Sequence, residues 1–373
     1  MPDRHMPPAL VFMLAARRME LGSLEGLALT CELATRICQL VHALQRERGY
    51  SNLYLGKPDH VHLNQLQRLS EDAQLIEQAV CARFEAMVLD TTGAVDRVRL
   101  YNRIAYVLLC LQELPGLRRR IRERALTPQD AVAGLVRLIE GLLAVVFEAA
   151  GSASDPAITR QLVALYNFMQ GKELASQERA VGVAGFIAGW FDEPLHARME
   201  QLGHAQSKCF DTFAQFAPER GVELWQAQET GEATEQFQAL RGLALKSTEQ
   251  SQVDAGLSEL WFDLCTQRLD TLHGIEQWLT QALLNLCQRS IAAARSDLEN
   301  HRLLLSRLAA LDSAEPLAAS LPSSPPGSSL SDALTPGRSV LDLLHAQALR
   351  LAKVDDELEK ARDALDVPRQ ARS

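Results

Sequence analysis

The amino-acid sequence predicts an all-α fold, and three observations support that prediction. Of the 373 residues, 47% are hydrophobic but only 5% are aromatic, and alanine, leucine, glutamate, glutamine and arginine are frequent, as in helical proteins. Leucine and isoleucine recur three or four positions apart, as on one face of an α-helix. No convincing run of alternating β-branched residues predicts a strand.

The helices are predicted from their apolar stripes and from the signals at their ends. Thr127-Pro128 combines an N-cap with a proline at the first helical position, and Gly151 ends the helix that starts there. Asp155-Pro156 starts the next helix, which ends before Pro194 and at ~1.5 Å per residue exceeds roughly 50 Å, longer than a single compact bundle. The apolar stripes and helices are predicted over residues 29–44, 62–88, 95–124, 128–151, 156–190, 195–216, 223–247 and 254–308.

The chain divides into five predicted segments, of which the second is the main folded domain. Prolines among serines and glycines between Ala314 and Arg338 predict a flexible linker. Leucines every seven residues from Leu344 to Leu365 predict an amphipathic C-terminal helix, whose half-polar companion positions favour weak self-association or docking over a strong coiled coil. The segments are an N-terminal segment (1–21), the helical domain (22–311), the linker (312–338), the C-terminal helix (339–366) and a tail (367–373).

Charge, cysteines and hydropathy exclude several classes of function. The net charge of −9 argues against a generic nucleic-acid surface. Seven cysteines stand singly in apolar helical patterns, and their odd number fits a reducing compartment and small core residues. The apolar run Ala9–Ala16 lacks a cleavage site, and Ala131–Ala150 carries Arg137, Glu140 and Glu148. The expectation is a cytoplasmic protein without a membrane span.

Motifs for catalysis and for metal binding are missing from the sequence. No glycine-rich phosphate loop, activated nucleophile or carboxylate dyad stands out, so neither an enzyme nor a cofactor is predicted. His60 and His62 follow Asp59 in a predicted loop without a partner cysteine, and no metal site is expected there.

The segment from Leu44 to Gly56 departs from the pattern of a core helix. Arg46, Arg48 and Gly49 interrupt an otherwise apolar helix, and an arginine is rarely buried unless something pairs with it. Within an α-helix Arg46 and Arg48 point about 200° apart. Either Gly49 relaxes the helix so that both turn inward, or one arginine contacts an anion and the other is a surface charge, and Arg48 is then favoured.

Two patches combine arginine, glutamate and glycine in a fixed order. The first reads Gln45-Arg46-Glu47-Arg48-Gly49, with Ser51 and Leu53-Tyr54-Leu55 after it, and the second reads Gly171-Lys172-Glu173 and then Gln177-Glu178-Arg179-Ala180-Val181-Gly182. In this order they resemble the nitrate- and nitrite-sensing (NIT) domain of bacterial regulators. Weaker matches follow at Leu240-Arg241 and Trp261-Phe262, and the resemblance runs from about Leu21 to about Arg295.

The resemblance implies a fold and a set of ligand-binding residues. Two stacked four-helix-type bundles share long helices and hold the oxyanion between them, as the separation of the two patches also predicts. The signature arginines are carried over to Arg48 and Arg179, and then to Arg46 and Arg241. A guanidinium is flat, charged and offers paired N–H donors, and so it matches nitrate or nitrite edge to edge.

The function implied is nitrate or nitrite sensing, with helix rearrangement as the signal in the control of nitrate assimilation or respiration genes. In the family this domain often precedes an RNA-binding antitermination module of the ANTAR type, but only about 35 residues follow the linker here, so direct RNA binding is not expected. Output is expected through a homodimer or a partner regulatory protein. The alternative is a helical scaffold that has lost the ligand and acts through its C-terminal helix.

Overall fold

A computed structural model describes residues 8–88, 98–151 and 155–314, which form nine α-helices and no strand beyond an isolated bridge between Thr248 and Ser251. The predicted all-α class is therefore confirmed. The helices are α1 (Pro8–Gly56), α2 (His60–Val88), α3 (Val98–Arg122), α4 (Pro128–Gly151), α5 (Pro156–Ala188), α6 (Glu193–Phe216), α7 (Glu219–Glu229), α8 (Glu232–Lys246) and α9 (Leu257–Ala314).

The helix ends near the middle of the chain follow their sequence signals. The Asp155 side chain caps α5 by accepting a hydrogen bond from the Ile158 backbone N–H, and Gly189 ends α5 in the left-handed region at φ 80°. Asp192 caps α6 in the same way by accepting from the Leu195 N–H. These side-chain caps hold donors that would otherwise lack an acceptor in the first turn.

One predicted helix was wrong, and two boundaries of the predicted segments lie inside helices. The expected helix over 223–247 is two helices, because the chain leaves helical geometry at Thr230 and Gly231 is extended (φ −88°, ψ 158°). Helix α1 passes residue 21 without a break, and α9 continues past residue 311 to Ala314. The rest of the predicted linker and the C-terminal helix lie outside the described residues.

Helix α1 belongs to two bundles, as expected for bundles that share long helices. On one side it packs against α2 and α4, and α3 completes that bundle by packing on α4 and α2. On the other side it packs against α5 and α9, and α6 completes the second bundle by packing on α5. The short helices α7 and α8 lie on α9. Helix α1 is therefore common to both bundles, which also contact each other where α4 packs against α5.

A buried polar layer divides the apolar core along the long helices. The main apolar cluster includes α1 as far as Leu44 and α5 as far as Met169. Two smaller clusters begin at Leu53 and Tyr54, towards the C-terminal end of α1. The polar layer between them comprises Gln45, Glu47, Arg48, Ser51, Asn52, Ser70, Arg118, Lys172, Glu173, Ser176, Gln177, Glu178, Arg179, Gln206 and Glu276.

The most apolar long helix is a core helix of the bundles. Within the described part of the chain, the stretch Val11–Gly56 is long and apolar enough to cross a membrane by length and composition, with a mean hydropathy of 1.2 in its most apolar window. Of that window 56% is buried inside the protein, as in the core helix of any bundle, and so this single helix is weak support for a membrane span.

Candidate functional site

Two consecutive residues of α1 project into opposite sides of the polar layer, and the first of them faces α2 and α3. The Glu47 carboxylate accepts hydrogen bonds from Arg118 Nε (2.7 Å) and Nη2 (2.9 Å) and from Ser70 Oγ (2.7 Å). Arg118 Nη1 also donates to Glu77 at 3.2 Å. On this side the one buried cation has two carboxylate partners.

The second residue, Arg48, faces α5 and forms a bidentate pair with Glu173. Arg48 Nη1 and Nη2 donate to the two carboxylate oxygens at 2.6 and 3.0 Å, and Nη2 also donates to Ser176 Oγ at 2.7 Å. Gln45 Nε2 and Gln177 Nε2 donate to the same carboxylate at 2.9 and 2.8 Å. Arg48 Nε is buried and has no acceptor among the described residues.

Arg179 lies beside this pair but has no carboxylate partner. Its guanidinium donates to the Gln45 carbonyl (2.6 Å) and to Thr266 Oγ1 (2.9 Å) and lies 5.0 Å from the centre of the Phe262 ring. No acidic group among the described residues comes within ion-pair distance of it, and its Nε is buried without an acceptor. Burial, with Arg48 as a neighbouring charge, lowers the pKa of Arg179 to about 10.

Glycine at position 49 makes room for Arg179. A Cβ atom on Gly49 would lie 2.4 Å from Arg179 Nη2, so any other residue would push the guanidinium away. Helix α1 continues through Gly49 without a break, so the structure does not show the first of the two alternatives, a helix relaxed at this glycine. Gly182 has the same role for Trp261, whose indole lies 2.2 Å from the Cβ position and donates to the Arg179 carbonyl at 3.0 Å.

The pairing of buried charges in the described residues leaves out one cation. Each of the four buried carboxylates has a cation within ion-pair distance, whereas Arg179 alone among the four buried cations has no carboxylate partner, because the partner of Glu178 is the 24% exposed Arg241. The imbalance is local: Arg48 and Arg179 share the single carboxylate of Glu173 as a neighbour. The ion pairs are Glu47 with Arg118, Glu173 with Arg48, Glu178 with Arg241, and Glu276 with Lys172.

Arg46 is half-buried on the face of α1 that is directed towards α9. The residues four positions before and after it contact α9, since His42 stacks on His273 (ring centroids 3.7 Å apart) and Tyr50 meets the edge of Phe262. Arg46 Nε is buried and has no acceptor in the described part of the chain. Arg46 and Arg48 thus project to different neighbours, as the 200° separation predicts.

The charges around His42 keep its ring neutral. Burial first, then Lys172, His273, Arg46 and Arg179, lower the pKa of His42 to about 2. Its Nε2 lies 3.6 Å from a half-exposed carboxylate oxygen of Asp270. The ring is therefore a neutral group at the side of the positive cluster.

Arg241, the fourth predicted arginine, contacts α5 from α8. Its Nε donates to Glu178 Oε1 at 2.6 Å, and its guanidinium lies against Gly203 of α6. Gln206 Nε2 donates to the second oxygen of Glu178 at 2.7 Å. Arg241 therefore binds Glu178, the residue that precedes Arg179 on α5. It makes no hydrogen bond to Arg48 or Glu173 among the described residues.

The sequence did not indicate the neutral donors and the acidic partner of the site. Gln45, Glu173 and Gln177 lie inside the two signature patches but were given no role, and Thr266 carries no signal at all. Among the described residues no group of three histidines, cysteines or acidic residues is placed to hold a metal ion. The His62 ring instead contacts Asp59 at 2.9 Å.

In the described residues, the all-α double bundle holds the buried guanidinium of Arg179 between its long helices without a carboxylate partner. Comparison with known proteins identifies the class: the chain belongs to the nitrate- and nitrite-sensing family, whose model, described as nitrate and nitrite sensing, matches residues 39–284. It is 32% identical over 361 residues to the nitrate regulatory protein of Klebsiella oxytoca, an alignment covering 96% of this chain and 83% of that protein.

A solved structure agrees with this assignment. The structure of the NasR transcription antiterminator superposes with a TM-score of 0.67 at 28% sequence identity, covering 98% of this chain and all of that chain. The relatives found are regulators rather than enzymes, and by family the chain is placed among nitrate-sensing regulators.

Proposed function

We propose that this chain is a cytoplasmic sensor that binds one nitrate or nitrite ion in the polar layer between α1, α5 and α9. Arg179 supplies the charge that the bound anion neutralises. Arg48 and Arg46 supply further N–H donors, and Arg241 acts from α8 by holding Glu178, next to Arg179. Control of genes for nitrate assimilation or respiration is the role that the family membership favours.

The observation that carries the proposal is the unpaired charge of Arg179. A buried guanidinium without a counterion is unfavourable, because burial removes its hydration and neutral acceptors replace only part of it. A monovalent anion beside it would leave the cluster of Arg48, Glu173 and Arg179 electrically neutral. Nitrate also accepts N–H bonds in one plane, which suits the edge of a guanidinium.

Unused donors support the same location. The Nε atoms of Arg46, Arg48 and Arg179 are all buried without an acceptor. Buried N–H groups normally have an acceptor, and so three of them, two on arginines of the polar layer and one on the half-buried Arg46 beside it, favour an anion as the missing partner. The space at Gly49 lets the Arg179 guanidinium lie against α1, the helix that carries Arg46 and Arg48.

The signal follows from which helices the anion joins. Binding between Arg179 of α5 and the arginines of α1 holds these helices together, and this shifts a two-state bundle towards its bound conformation. We assign the output to a second copy of the chain or to a partner regulatory protein. Direct binding of RNA by this chain is not part of the proposal.

Calorimetric titration with nitrate, nitrite and chloride tests the proposal. The unmodified protein should bind nitrate or nitrite saturably with one site per chain and should bind chloride much more weakly, since chloride offers charge without a planar set of acceptors. Arg179→Met should lose that binding by at least about a hundredfold, because it removes the one buried cation of the described residues that has no carboxylate partner, together with its donors.

The matched control is Arg220→Met, which removes an arginine that is 65% exposed and paired with Glu223 on its own helix. This variant should bind as the unmodified protein does. Saturable nitrate binding that survives in Arg179→Met would place the anion elsewhere. No heat and no thermal stabilisation of the unmodified protein at millimolar nitrate would reject the sensor.

The Arg48–Glu173 pair favours a second candidate, a helical scaffold without a ligand. Its bidentate geometry already satisfies two donors of the arginine that the family resemblance ranks first. A scaffold of this kind would act through its C-terminal helix. Absence of nitrate binding, together with retention of a partner protein that truncation before residue 339 releases, would establish this function instead.

A further inference from the structure

Glu173 is the buried carboxylate that is linked to Arg179 through one shared hydrogen-bond partner. It shares Gln45 with Arg179, since the Gln45 side chain donates to Glu173 and the Gln45 carbonyl accepts from Arg179. It is also bound to Arg48, and both arginines have a free Nε. The negative charge of Glu173 and the anion would therefore act on the same two guanidinium groups.

We propose that Glu173 determines the valence of the anion that the site accepts, by leaving one positive charge uncompensated and no more. This inference rests on the proposed function, because it concerns the specificity of the same site. With Glu173 ionised, the cluster of Arg48, Glu173 and Arg179 carries one net positive charge, so a monovalent anion makes this cluster neutral, whereas a dianion such as sulfate leaves it with an excess negative charge. Glu173 is thus a specificity-determining residue that does not itself contact the anion.

The other buried carboxylates do not have this position. Glu47 projects from the opposite face of α1 to Arg118 and Ser70. Glu178 is held by Arg241 and Gln206 on the side of α5 that faces α6 and α8. Glu276 is bound to Lys172 and to His273. Only Glu173 is bound to Arg48 and also shares a residue with Arg179.

The Glu173 side chain can be made neutral with little change of shape. Four N–H groups reach its two oxygens, two from Arg48 and one each from Gln45 and Gln177. In a glutamine the remaining oxygen still accepts from one Arg48 N–H, but the amide N–H₂ group replaces the acceptor of the other. Replacing Glu173 by glutamine therefore raises the charge of the cluster by one and removes one Arg48 bond, so the ratio of two Kd values, rather than the nitrate Kd alone, measures the effect of charge.

The test compares Glu173→Gln with the unmodified protein by calorimetric titration with sodium nitrate and sodium sulfate at equal ionic strength. The unmodified protein should bind nitrate and bind sulfate only weakly. In Glu173→Gln the ratio of the sulfate Kd to the nitrate Kd should fall by about tenfold or more, since a second uncompensated charge favours the dianion in a site of low dielectric. Glu47→Gln is the matched control, an equally buried arginine-paired carboxylate on the other face of α1, and should leave the ratio unchanged.

A second variant separates charge from geometry. Arg48→Met combined with Glu173→Met removes one charge of each sign, so nitrate binding weakens but the ratio of the two Kd values should stay near that of the unmodified protein. It also replaces the buried pair by apolar side chains, a change that bundles tolerate, which keeps the test available if Glu173→Gln unfolds.

The outcomes distinguish the inference from the proposed function. Nitrate binding by the unmodified protein with an unchanged ratio in Glu173→Gln overturns the role of Glu173 and leaves the sensor intact. An equal fall of the ratio in Glu47→Gln overturns it too, because the effect would then be one of overall charge. If no anion binds to the unmodified protein or to either Glu173 variant, the sensor and the inference fall together.

Discussion

The two sides of α1 at the polar layer are built from the same residue types but differ in charge balance. Towards α2 and α3, Glu47 meets Arg118, which also has Glu77 as a second acid. Towards α5 and α9, Arg48 meets Glu173, and Arg179 is added without an acid of its own. Among the described residues, the buried cation on the first side has two carboxylate partners, whereas Arg179 on the second side has none.

This difference separates a structural network from a site for a ligand. A buried ion pair with all its hydrogen bonds satisfied holds helices in register but offers nothing to a solute. A buried cation without a partner lowers the stability of the empty protein, and a bound anion can recover that loss. The position of the unpaired charge, more than the number of arginines, is therefore the basis for the proposed site.

The largest contrast is expected between Arg118→Met and Arg179→Met, two buried arginines on opposite sides of α1. Arg118→Met leaves Glu47 buried without a cation and should lower the free energy of unfolding by about 3–5 kcal/mol. Arg179→Met removes an unpaired charge, and the nitrate-free protein should lose less than about 1 kcal/mol or become more stable. Chemical denaturation without added anions measures both.

An equal loss of stability in the two variants would contradict the contrast, because Arg179 would then be part of the structural network. The Gln45 carbonyl is not left without a role in Arg179→Met, since it remains an acceptor in the backbone ladder of α1.

A smaller contrast is expected for two glycines of α1. Gly49→Ala places a methyl group 2.4 Å from Arg179 Nη2 and should cost about 1–3 kcal/mol through overpacking, with weaker nitrate binding as the guanidinium shifts. Gly22→Ala meets no atom within 4 Å and should raise stability by about 0.5–1 kcal/mol through helix propensity. Thermal unfolding with and without nitrate measures both effects, and a Gly49→Ala protein with unchanged nitrate response would argue against the position of Arg179.

The smallest contrast is a difference in pH dependence between the two sides. The pKa of His42 falls from 6.5 to about 2 on folding. The contribution of neutral His42 to the free energy of unfolding is therefore fully present above pH 6.5 and declines below that pH by about 1.4 kcal/mol per pH unit. On the other side burial raises the pKa of Glu77, so acidification below that pKa removes an unfavourable charge there. His42→Gln should flatten the loss of stability between pH 6.5 and 5, whereas Glu77→Gln should leave it in place. An unchanged slope in His42→Gln would assign the acid sensitivity to another group.

The fold was largely predictable because its signals are local. The cap at Asp155 and the proline after it are contiguous in the sequence, and the structure begins α5 there. The break between α7 and α8 was missed because helix-forming residues with suitable apolar spacing continue on both sides of Gly231, whose extended backbone depends on how the chain packs. The shared use of α1 by two bundles followed from the lengths of the helices and the separation of the two patches.

The site was predictable only in part because its pairings are distant in the chain. The sequence indicated the arginines at 46, 48 and 179 and their angular separation on α1. That Glu173 neutralises Arg48 depends on contact between residues 125 positions apart, which periodicity does not reveal. The role of Gly49 was left open for the same reason, since the atom that requires the missing Cβ belongs to α5.

Glu47 and Arg48 are neighbours in the chain whose side chains are bonded to different bundles, at 2.7 and 2.6 Å. Turning α1 about its own axis to improve one set of bonds would stretch the other set, because a rigid helix moves both residues by the same angle. Small, independent adjustments of either side are therefore resisted. The hydrogen bonds of Glu47 and those of Arg48 are therefore coupled by α1, and the two sets are expected to break or to remain intact together.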